Sequence, residues 1–277
     1  MTVHRIGLGA MRLTGSAAFD LGTPSDRRTS IQVVRRAVEL GVNHIDTAAF
    51  YFSQLRSANE LINSALGDRS TDVVIATKVG PGRDPSGEWS AARPDQLRGQ
   101  VEENLRQLGR DQLDLVNLRR MDQTSIAEHF GALAELRTAG LVRELGVSNV
   151  TAAQLAEARA IAPVVCVQNR FHLDHRGQDE MLRHCGELGI AFVPYFTIAG
   201  AGRERGAAAA GAANERVQAV ADAHGATTAQ VRLAWTLHQG PHVLAIPGTG
   251  NPAHLEQNVA AGGLRLTDEE VALLEGA

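Results

Sequence analysis

Eight times along this chain, a short apolar run is followed by a segment with helical periodicity. The runs show little polar alternation, which is typical of strands buried on both faces of a parallel sheet. Eight such units in about 250 residues predict an α/β fold, a (β/α)8 TIM barrel that forms a single domain over residues 1–277. The predicted strands are residues 5–9, 42–45, 71–78, 113–118, 142–147, 164–167, 190–193 and 243–246.

The turn after the first predicted strand separates this barrel from a doubly wound sheet. It begins Gly7-Leu8-Gly9, but it lacks the third glycine and the immediate helix of the dinucleotide-binding fingerprint. That absence argues against the doubly wound fold. The glycine-rich turn still lets the backbone approach a ligand closely, so Gly9, Ala10 and Met11 are candidate binding residues.

The composition excludes several classes of function. A net charge of −4, a pI near 6.2 and 4% aromatic residues give no basis for binding nucleic acid or a membrane surface. Cys166 and Cys185 lie in apolar surroundings without metal-ligand spacing, so we expect reduced thiols and no metal site. No apolar run approaches about 18 residues, and we expect a cytoplasmic protein that is a monomer or a weak oligomer.

Polar residues follow the predicted strands at the points where the strands end. In a parallel barrel, these carboxyl ends converge on one mouth, where active sites are built. Taken singly, each residue has an ordinary structural explanation, such as a turn cap or a solvated lysine. Because such residues follow seven successive strands, we predict a functional site at the mouth. They are Asp46, Lys78, Arg119, Ser148 with Asn149, Gln168, Tyr195, and Gly248 with Thr249.

Three of these positions suggest acid catalysis. Asp46 and Lys78 end adjacent strands, which lie about 4.8 Å apart, so they can form an ion pair. Tyr51, in the loop after Asp46, can fold over that pair. An ammonium group beside a phenol stabilises the phenolate, which makes the phenol a competent general acid toward a carbonyl oxygen.

Several motifs together resemble the aldo-keto reductases over nearly the whole chain. They are Gly-Val-Asn-His-Ile-Asp-Thr-Ala at 41–48 with Tyr51, Ile-Ala-Thr-Lys at 75–78, Gly-Val-Ser-Asn at 146–149, Val-Gln-Asn at 167–169, and Ile-Pro-Gly-Thr at 246–249 with Glu-Gln-Asn at 256–258. The resemblance implies that a hydride passes from NADPH to the carbonyl of a small aldehyde or ketone, without metal or flavin. It also implies that Tyr51 donates the proton and that Lys78 and Asp46 activate it.

The same resemblance implies how the cofactor is bound. Ser148, Asn149 and Gln168 match residues that hold the nicotinamide carboxamide, and Tyr195, followed by Phe196, matches a residue that stacks on the nicotinamide. The segment for the adenosine phosphate corresponds to Gly248, Thr249, Gly250, His254, Gln257 and Asn258.

Two positions in the phosphate segment depart from the family pattern, which often has Lys at 248 and Arg at 254. The chain has Gly248 and His254 instead. We therefore expect backbone N–H groups, Thr249 and His254 to carry the phosphate contact, and NADPH to be preferred over NADH.

The fourth strand departs most from the family pattern, because Arg119 stands where a His commonly orients the carbonyl. A guanidinium is always charged and donates strongly, so it can polarise a carbonyl or bind a phenolate oxygen of a substrate. The sequence from Asp114 to Arg119 resembles a bacterial branch of the aldo-keto reductases that includes a pyridoxal reductase. Pyridoxal is therefore the first expected substrate. Phe50, Phe52 and Trp89 are expected to line an apolar substrate pocket.

Two alternatives remain open at this level. One is a non-redox enzyme of the dehydratase or epimerase type that uses Tyr51 and Arg119. The other is a regulatory subunit that binds the cofactor without turning it over. Residues 79–93 and 197–213 are predicted to be loops, the second of them rich in small residues.

Overall fold

The computed structural model describes residues 1–17, 22–67, 72–83, 86, 88–198 and 214–276. Seven strands in this part of the chain form one parallel sheet whose spatial order follows the order of the chain. They are β1 (Leu8–Gly9), β2 (His44–Asp46), β3 (Val74–Val79), β4 (Leu113–Arg119), β5 (Val142–Ser148), β6 (Cys166–Gln168) and β7 (Ala191–Phe192).

The segment 243–248 closes this sheet into a barrel. Single parallel bridges join it to both edges, at Phe192 with Val243 on one side and at Gly9 with Gly248 on the other. The eighth predicted strand is therefore in its expected place, but it is not a continuous ladder, because Pro247 has no N–H to donate. The approach at this seam is close, since a Cβ atom on Gly9 would lie 2.5 Å from the carbonyl oxygen of Ile246. The fold is the predicted (β/α)8 barrel.

Ten α-helices occur in the described ranges and pack around the barrel. Seven of them begin at a side chain that caps the first turn, namely at Asp26, Ser57, Thr151, Asn214, Thr227, Asn251 and Thr267. No described helix is long and apolar enough to cross a membrane. The helices are α1 (Arg27–Glu39), α2 (Ala58–Leu66), α3 (Leu97–Leu108), α4 (Ala127–Thr138), α5 (Ala152–Ile161), α6 (Asp179–Glu187), α7 (Glu215–His224), α8 (Thr228–His238), α9 (Pro252–Ala260) and α10 (Asp268–Glu275).

Two segments at the mouth that the sequence predicted as irregular contain antiparallel hairpins. Phe52–Ser53 pairs with Arg56–Ser57, and Pro81–Arg83 pairs with Trp89–Ala91. The prediction of a plain loop over residues 79–93 was therefore wrong. Each arm is two or three residues long, too short to show strand periodicity, and only the partner arm stabilises it.

The boundaries of the other strands and helices differ less from those predicted from the sequence. The barrel strands are mostly shorter than their apolar runs, and the first pairs as a ladder only at Leu8–Gly9. The helix expected to start at residue 94 begins as a 3-10 turn, Pro94–Gln96. Of the small-residue loop predicted at 197–213, residues 199–213 lie outside the described part.

A buried polar network fixes the carboxyl ends of β2 and β3. The Thr47 hydroxyl donates to Asn59 Oδ1 at 2.8 Å, and Asn59 Nδ2 donates to Asn104 Oδ1 at 2.9 Å. The Thr77 hydroxyl donates to the same Asn104 oxygen at 2.6 Å. All four side chains are fully buried. Because residues 46 and 78 are the chain neighbours of these threonines, α2 and α3 hold both strand ends in register.

Replacing Asn104 by alanine should destabilise the protein by at least about 2 kcal/mol, because the Thr77 hydroxyl and the Asn59 amide lose a buried partner. Urea unfolding measures the change. Glu102→Ala, in the exposed face of the same helix, is the matched control and should stay within about 0.5 kcal/mol of the parent. Equal effects of the two substitutions would contradict this account of the network.

Candidate active site

A buried ion pair lies at the carboxyl ends of β2 and β3. Lys78 Nζ donates to Asp46 Oδ2 at 2.6 Å and to the carbonyl oxygen of Thr47 at 2.9 Å. Gln168 Nε2 donates to the other carboxylate oxygen, Asp46 Oδ1, at 2.8 Å. The side chains of Lys78 and Asp46 are only 2% and 6% exposed. Both charges are therefore removed from water, and each carboxylate oxygen has a donor.

The charge state of Lys78 follows from these neighbours. Burial by itself lowers the pKa of Lys78, but the negative charge of Asp46 and that of an ionised Tyr51 raise the pKa above its ordinary value of 10.5. The ammonium group is therefore retained at neutral pH. Its Nζ lies 4.9 Å from the centroid of the Tyr51 ring. A fixed positive charge thus stands beside one phenol, as the sequence predicted for these three residues.

Tyr51 borders a cavity of about 130 Å³ at the mouth, which we call the mouth cavity. Asp46 forms part of the same wall, so the phenol and the carboxylate of the ion pair face this cavity, whereas Lys78 is not among its lining residues. Six predicted cofactor residues line part of the rest, whereas Ser148, Asn149 and Gln168 are not among the lining residues. The lining residues are Gly9, Ala10, Met11, Arg12, Asp46, Tyr51, Tyr195, Phe196, Thr197, Ile198, Ile246, Pro247 and Gly248.

A second cavity of about 540 Å³, the outer cavity, lies beside the N-terminus of α9. All six residues predicted to bind the adenosine phosphate line it, namely Gly248, Thr249, Gly250, His254, Gln257 and Asn258. Arg12, Ile198 and Gly248 line both cavities. The two cavities therefore meet at the seam of the barrel, where β1 contacts the segment 243–248. A ligand with a group at each end could occupy both.

The polar groups expected to hold a nicotinamide carboxamide lie on adjacent strands. Ser148 and Gln168 are register partners on β5 and β6. The Ser148 hydroxyl and Gln168 Oε1 are buried and have no hydrogen-bond partner among the described residues. A carboxamide offers one acceptor and two donors, so a free hydroxyl and a free amide oxygen fit it. The Gln168 amide nitrogen is already committed to Asp46, which the sequence did not indicate.

Two non-glycine residues in the described chain have left-handed backbone angles, and both were predicted to bind the cofactor. Asn149 has φ of 63° and Phe196 has φ of 64°. Asn149 is held there by its Nδ2, which donates to the carbonyl oxygen of Arg120 at 3.2 Å. A bulky residue such as Phe196 pays about 1 to 2 kcal/mol for this conformation. Backbone strain of this kind clusters at binding sites.

Arg119 is half-buried at the end of β4, and its guanidinium carbon lies 5.6 Å from the centroid of the Tyr195 ring. It forms no ion pair with Asp46 or Asp122 in the described structure. Burial raises the pKa of Tyr195, and the charges of Arg119 and Arg170 offset part of that rise. Arg119 therefore has the Tyr195 phenol as its neighbour, pairs with no carboxylate among the described residues, and is not among the residues that line the mouth cavity.

The residues predicted to bind substrate cluster beside Tyr51 but face a different space. The Phe50 ring packs edge-on against Tyr51 at 5.3 Å and against Trp89 at 6.1 Å. With Phe52 they line a groove of about 520 Å³ between the 81–91 hairpin and α3, which shares no lining residue with the mouth cavity. The Arg83 guanidinium lies 4.7 Å from the Trp89 ring, so this apolar surface carries a cation at its rim.

Sequence reasoning missed two residues at these sites. Arg12 lines both cavities, and its position directly after the Gly9-Ala10-Met11 turn was a usable signal. Arg83 had no such signal, because its place over Trp89 depends on a hairpin that the sequence did not reveal.

The fold is a (β/α)8 barrel, and two adjoining cavities lie at the mouth beside the seam. Residues 5–277 match the sequence profile of the Aldo/keto reductase family, and the chain belongs to that family. It is an NADP-dependent, carbonyl-reducing oxidoreductase.

Individual relatives agree with this assignment. The chain is 42% identical over 283 residues to pyridoxine 4-dehydrogenase of Escherichia coli, which covers 99% of this chain and 95% of that protein. It resembles the crystal structure of a thermostable aldo-keto reductase in complex with the inhibitor epalrestat, with 30% identity, a TM-score of 0.83 and coverage of 99% and 95%. An aldo/keto reductase from Klebsiella pneumoniae, in complex with NADP and acetate, gives 27% identity, a TM-score of 0.80 and coverage of 99% and 91%.

The buried ion pair should make the stability of the protein depend on pH in the alkaline range. Folding raises the pKa of Lys78. Its charge therefore contributes fully to the free energy of unfolding at pH values below 10.5, the pKa of lysine in the unfolded chain, and this contribution is lost as the pH rises through the pKa of the folded state. The difference in unfolding free energy between the parent and Lys78→Met should therefore stay constant from pH 7 to about 10 and shrink above that. Urea unfolding at each pH measures it.

A direct titration provides the control for that experiment. Lys78 is the only lysine in the sequence, so protein labelled with ¹³C-lysine gives one lysine side-chain signal. We expect its midpoint above 10.5 in the parent and a clear fall in Asp46→Asn, where burial is opposed by Tyr51 alone. A midpoint near neutrality in the parent would contradict the proposed charge state.

Proposed function

We propose that this protein reduces an aldehyde to its alcohol, with Tyr51 as the general acid and pyridoxal or a similar aromatic aldehyde as substrate. The observation that carries the proposal is the buried Lys78–Asp46 pair, with Nζ 4.9 Å from the Tyr51 ring at the edge of the mouth cavity. When bound, NADPH supplies the hydride for the carbonyl carbon. Tyr51 donates its hydroxyl proton to the carbonyl oxygen as negative charge develops there.

Lys78 acts on Tyr51 through its charge. Once the phenol has given up its proton, the adjacent ammonium stabilises the phenolate that remains. Asp46 and the Thr47 carbonyl oxygen hold the ammonium in place, and Gln168 holds the second oxygen of Asp46. The charges are therefore oriented before the reaction begins, and no reorganisation is needed when the proton moves.

The substrate class rests on Arg119 and on the comparison with pyridoxine 4-dehydrogenase. Pyridoxal carries a phenolic oxygen next to its aldehyde. A guanidinium beside Tyr195, a residue that lines the mouth cavity, can donate hydrogen bonds to that oxygen, and a charge-assisted bond of this kind is about twice as strong as a neutral one. The 42% identity over nearly the full length of a pyridoxine 4-dehydrogenase supports the same substrate.

Tyr51→Phe should lower kcat for pyridoxal by roughly 10²- to 10⁴-fold, because the proton donor is lost while the ring remains. NADPH oxidation measures turnover, and the dissociation constant for NADPH should not change. The chain has two tyrosines, so ¹³C-labelled tyrosine gives two ring signals, and the Tyr195 signal reports whether the site is intact. Unchanged kcat would refute Tyr51 as the acid. If no aromatic aldehyde supports NADPH oxidation by the parent, the proposed substrate class is wrong.

Arg119→His should reduce turnover of pyridoxal more than that of benzaldehyde, because only pyridoxal offers a phenolate oxygen to the guanidinium. We expect a loss of roughly 10-fold or more in kcat/KM for pyridoxal, within the energy of one charged hydrogen bond. The matched control is Arg120→His, the neighbouring residue, whose Nε donates to the carbonyl oxygen of Gln123. Equal losses for both aldehydes would count against a substrate-binding role for Arg119.

A further inference from the structure

Arg12 lies at the seam where the mouth cavity and the outer cavity meet. It belongs to the 3-10 turn Ala10–Leu13 that follows β1, and its side chain is half-buried. Its guanidinium donates to the carbonyl oxygen of Ser16. Among the described residues, Arg12, Ile198 and Gly248 line both cavities, and Arg12 alone of the three carries a charge.

Arg12 differs from the other residues that line the two cavities in its charge. It is the only basic side chain among the described residues that line the mouth cavity, where Asp46 is the acid. In the outer cavity the basic side chains are Arg12 and His254, and no carboxylate is present in the described lining. Arg12 is therefore the one group in either lining that carries a positive charge at every physiological pH.

We propose that Arg12 binds the pyrophosphate of NADP(H). The pyrophosphate joins the two nucleosides of the cofactor, so with the nicotinamide in the mouth cavity and the adenosine in the outer cavity it must cross the seam. A guanidinium presents five N–H donors in a fixed plane, and it can bind phosphate oxygens in a bidentate manner while keeping its bond to Ser16.

The packing at the seam explains why the positive charge comes from residue 12 and not from residue 248. A Cβ atom on Gly248 would lie 3.6 Å from Arg12 Cγ and 3.0 Å from the carbonyl oxygen of Gly9. The stem of Arg12 thus borders the space that a side chain at 248 would enter, and the carbonyl oxygen of Gly9 is the tighter neighbour there. The β1 side of the seam supplies the cation, and the opposite side stays small to make room for it.

This assignment predicts a division of roles between the two basic residues. The pyrophosphate is common to NADPH and NADH, so Arg12 should contribute equally to the binding of both cofactors. Discrimination by the 2′-phosphate falls to the outer cavity, where Thr249 and His254 lie. The inference rests on NADP(H) as the cofactor and does not depend on which aldehyde is reduced.

Dissociation constants for NADPH and NADH, measured by titration calorimetry without any aldehyde, test the proposal. Arg12→Gln should weaken the binding of both cofactors by similar factors, roughly 10- to 100-fold, and Arg12→Lys should weaken it less. His254→Gln is the matched control and should weaken NADPH more than NADH. Affinities within twofold of the parent in Arg12→Gln, or a loss confined to NADPH, would overturn the assignment to the pyrophosphate.

Ionic strength gives a second readout that does not rely on the size of the loss. Salt screens the attraction between a cation and a phosphate, so the affinity of the parent for NADH should fall with added salt more steeply than that of Arg12→Gln. Equal slopes would show that the charge of Arg12 does not act on the cofactor. Thermal unfolding shows whether each variant is folded, and if Arg12→Gln is not, the same comparison is made with the equally uncharged Arg12→Met.

Discussion

The buried pair of Lys78 and Asp46 is the interaction on which the rest of this site depends. Two charges taken out of water cost several kcal/mol each unless close partners compensate them. Here the carboxylate receives the ammonium on one oxygen and the Gln168 amide on the other. Within this pair, the Lys78 ammonium is a fixed positive charge beside Tyr51, partly neutralised by Asp46. Its position is set by the helices outside the barrel, through Asn59 and Asn104, as much as by the strands that carry it.

The barrel seam is the second constraint, because it is where the ring closes and where both cavities meet. A Cβ atom on Gly9 would overlap the backbone of Ile246, and one on Gly248 would be tight against the backbone of Gly9. The same closeness brings Arg12 against the wall shared by the two cavities. The contacts that close the barrel therefore also form the wall along which, in our proposal, the cofactor binds.

Arg119 adds a positive charge near the mouth of the barrel, in addition to that of Lys78. A fixed guanidinium next to Tyr195 adds positive potential to a site that already contains an ammonium. Such a site favours substrates that carry negative charge near the reacting carbonyl. In the proposed function, catalysis and substrate choice therefore come from different cations, Lys78 for the phenol and Arg119 for the aldehyde.

The sequence alone determined the order of eight strand and helix units, because apolar runs, helix caps and glycine stops act over a few residues. It also determined that Asp46, Lys78 and Arg119 end successive strands, and parallel topology then brings them to one mouth. The roles of the individual site residues stay predictions. Only the tertiary structure decided that the Gln168 amide holds Asp46, 122 residues away in the chain. It also decided that Arg12 reaches both cavities and that hairpins flank the mouth, because these features depend on contacts between distant segments, which local patterns do not encode.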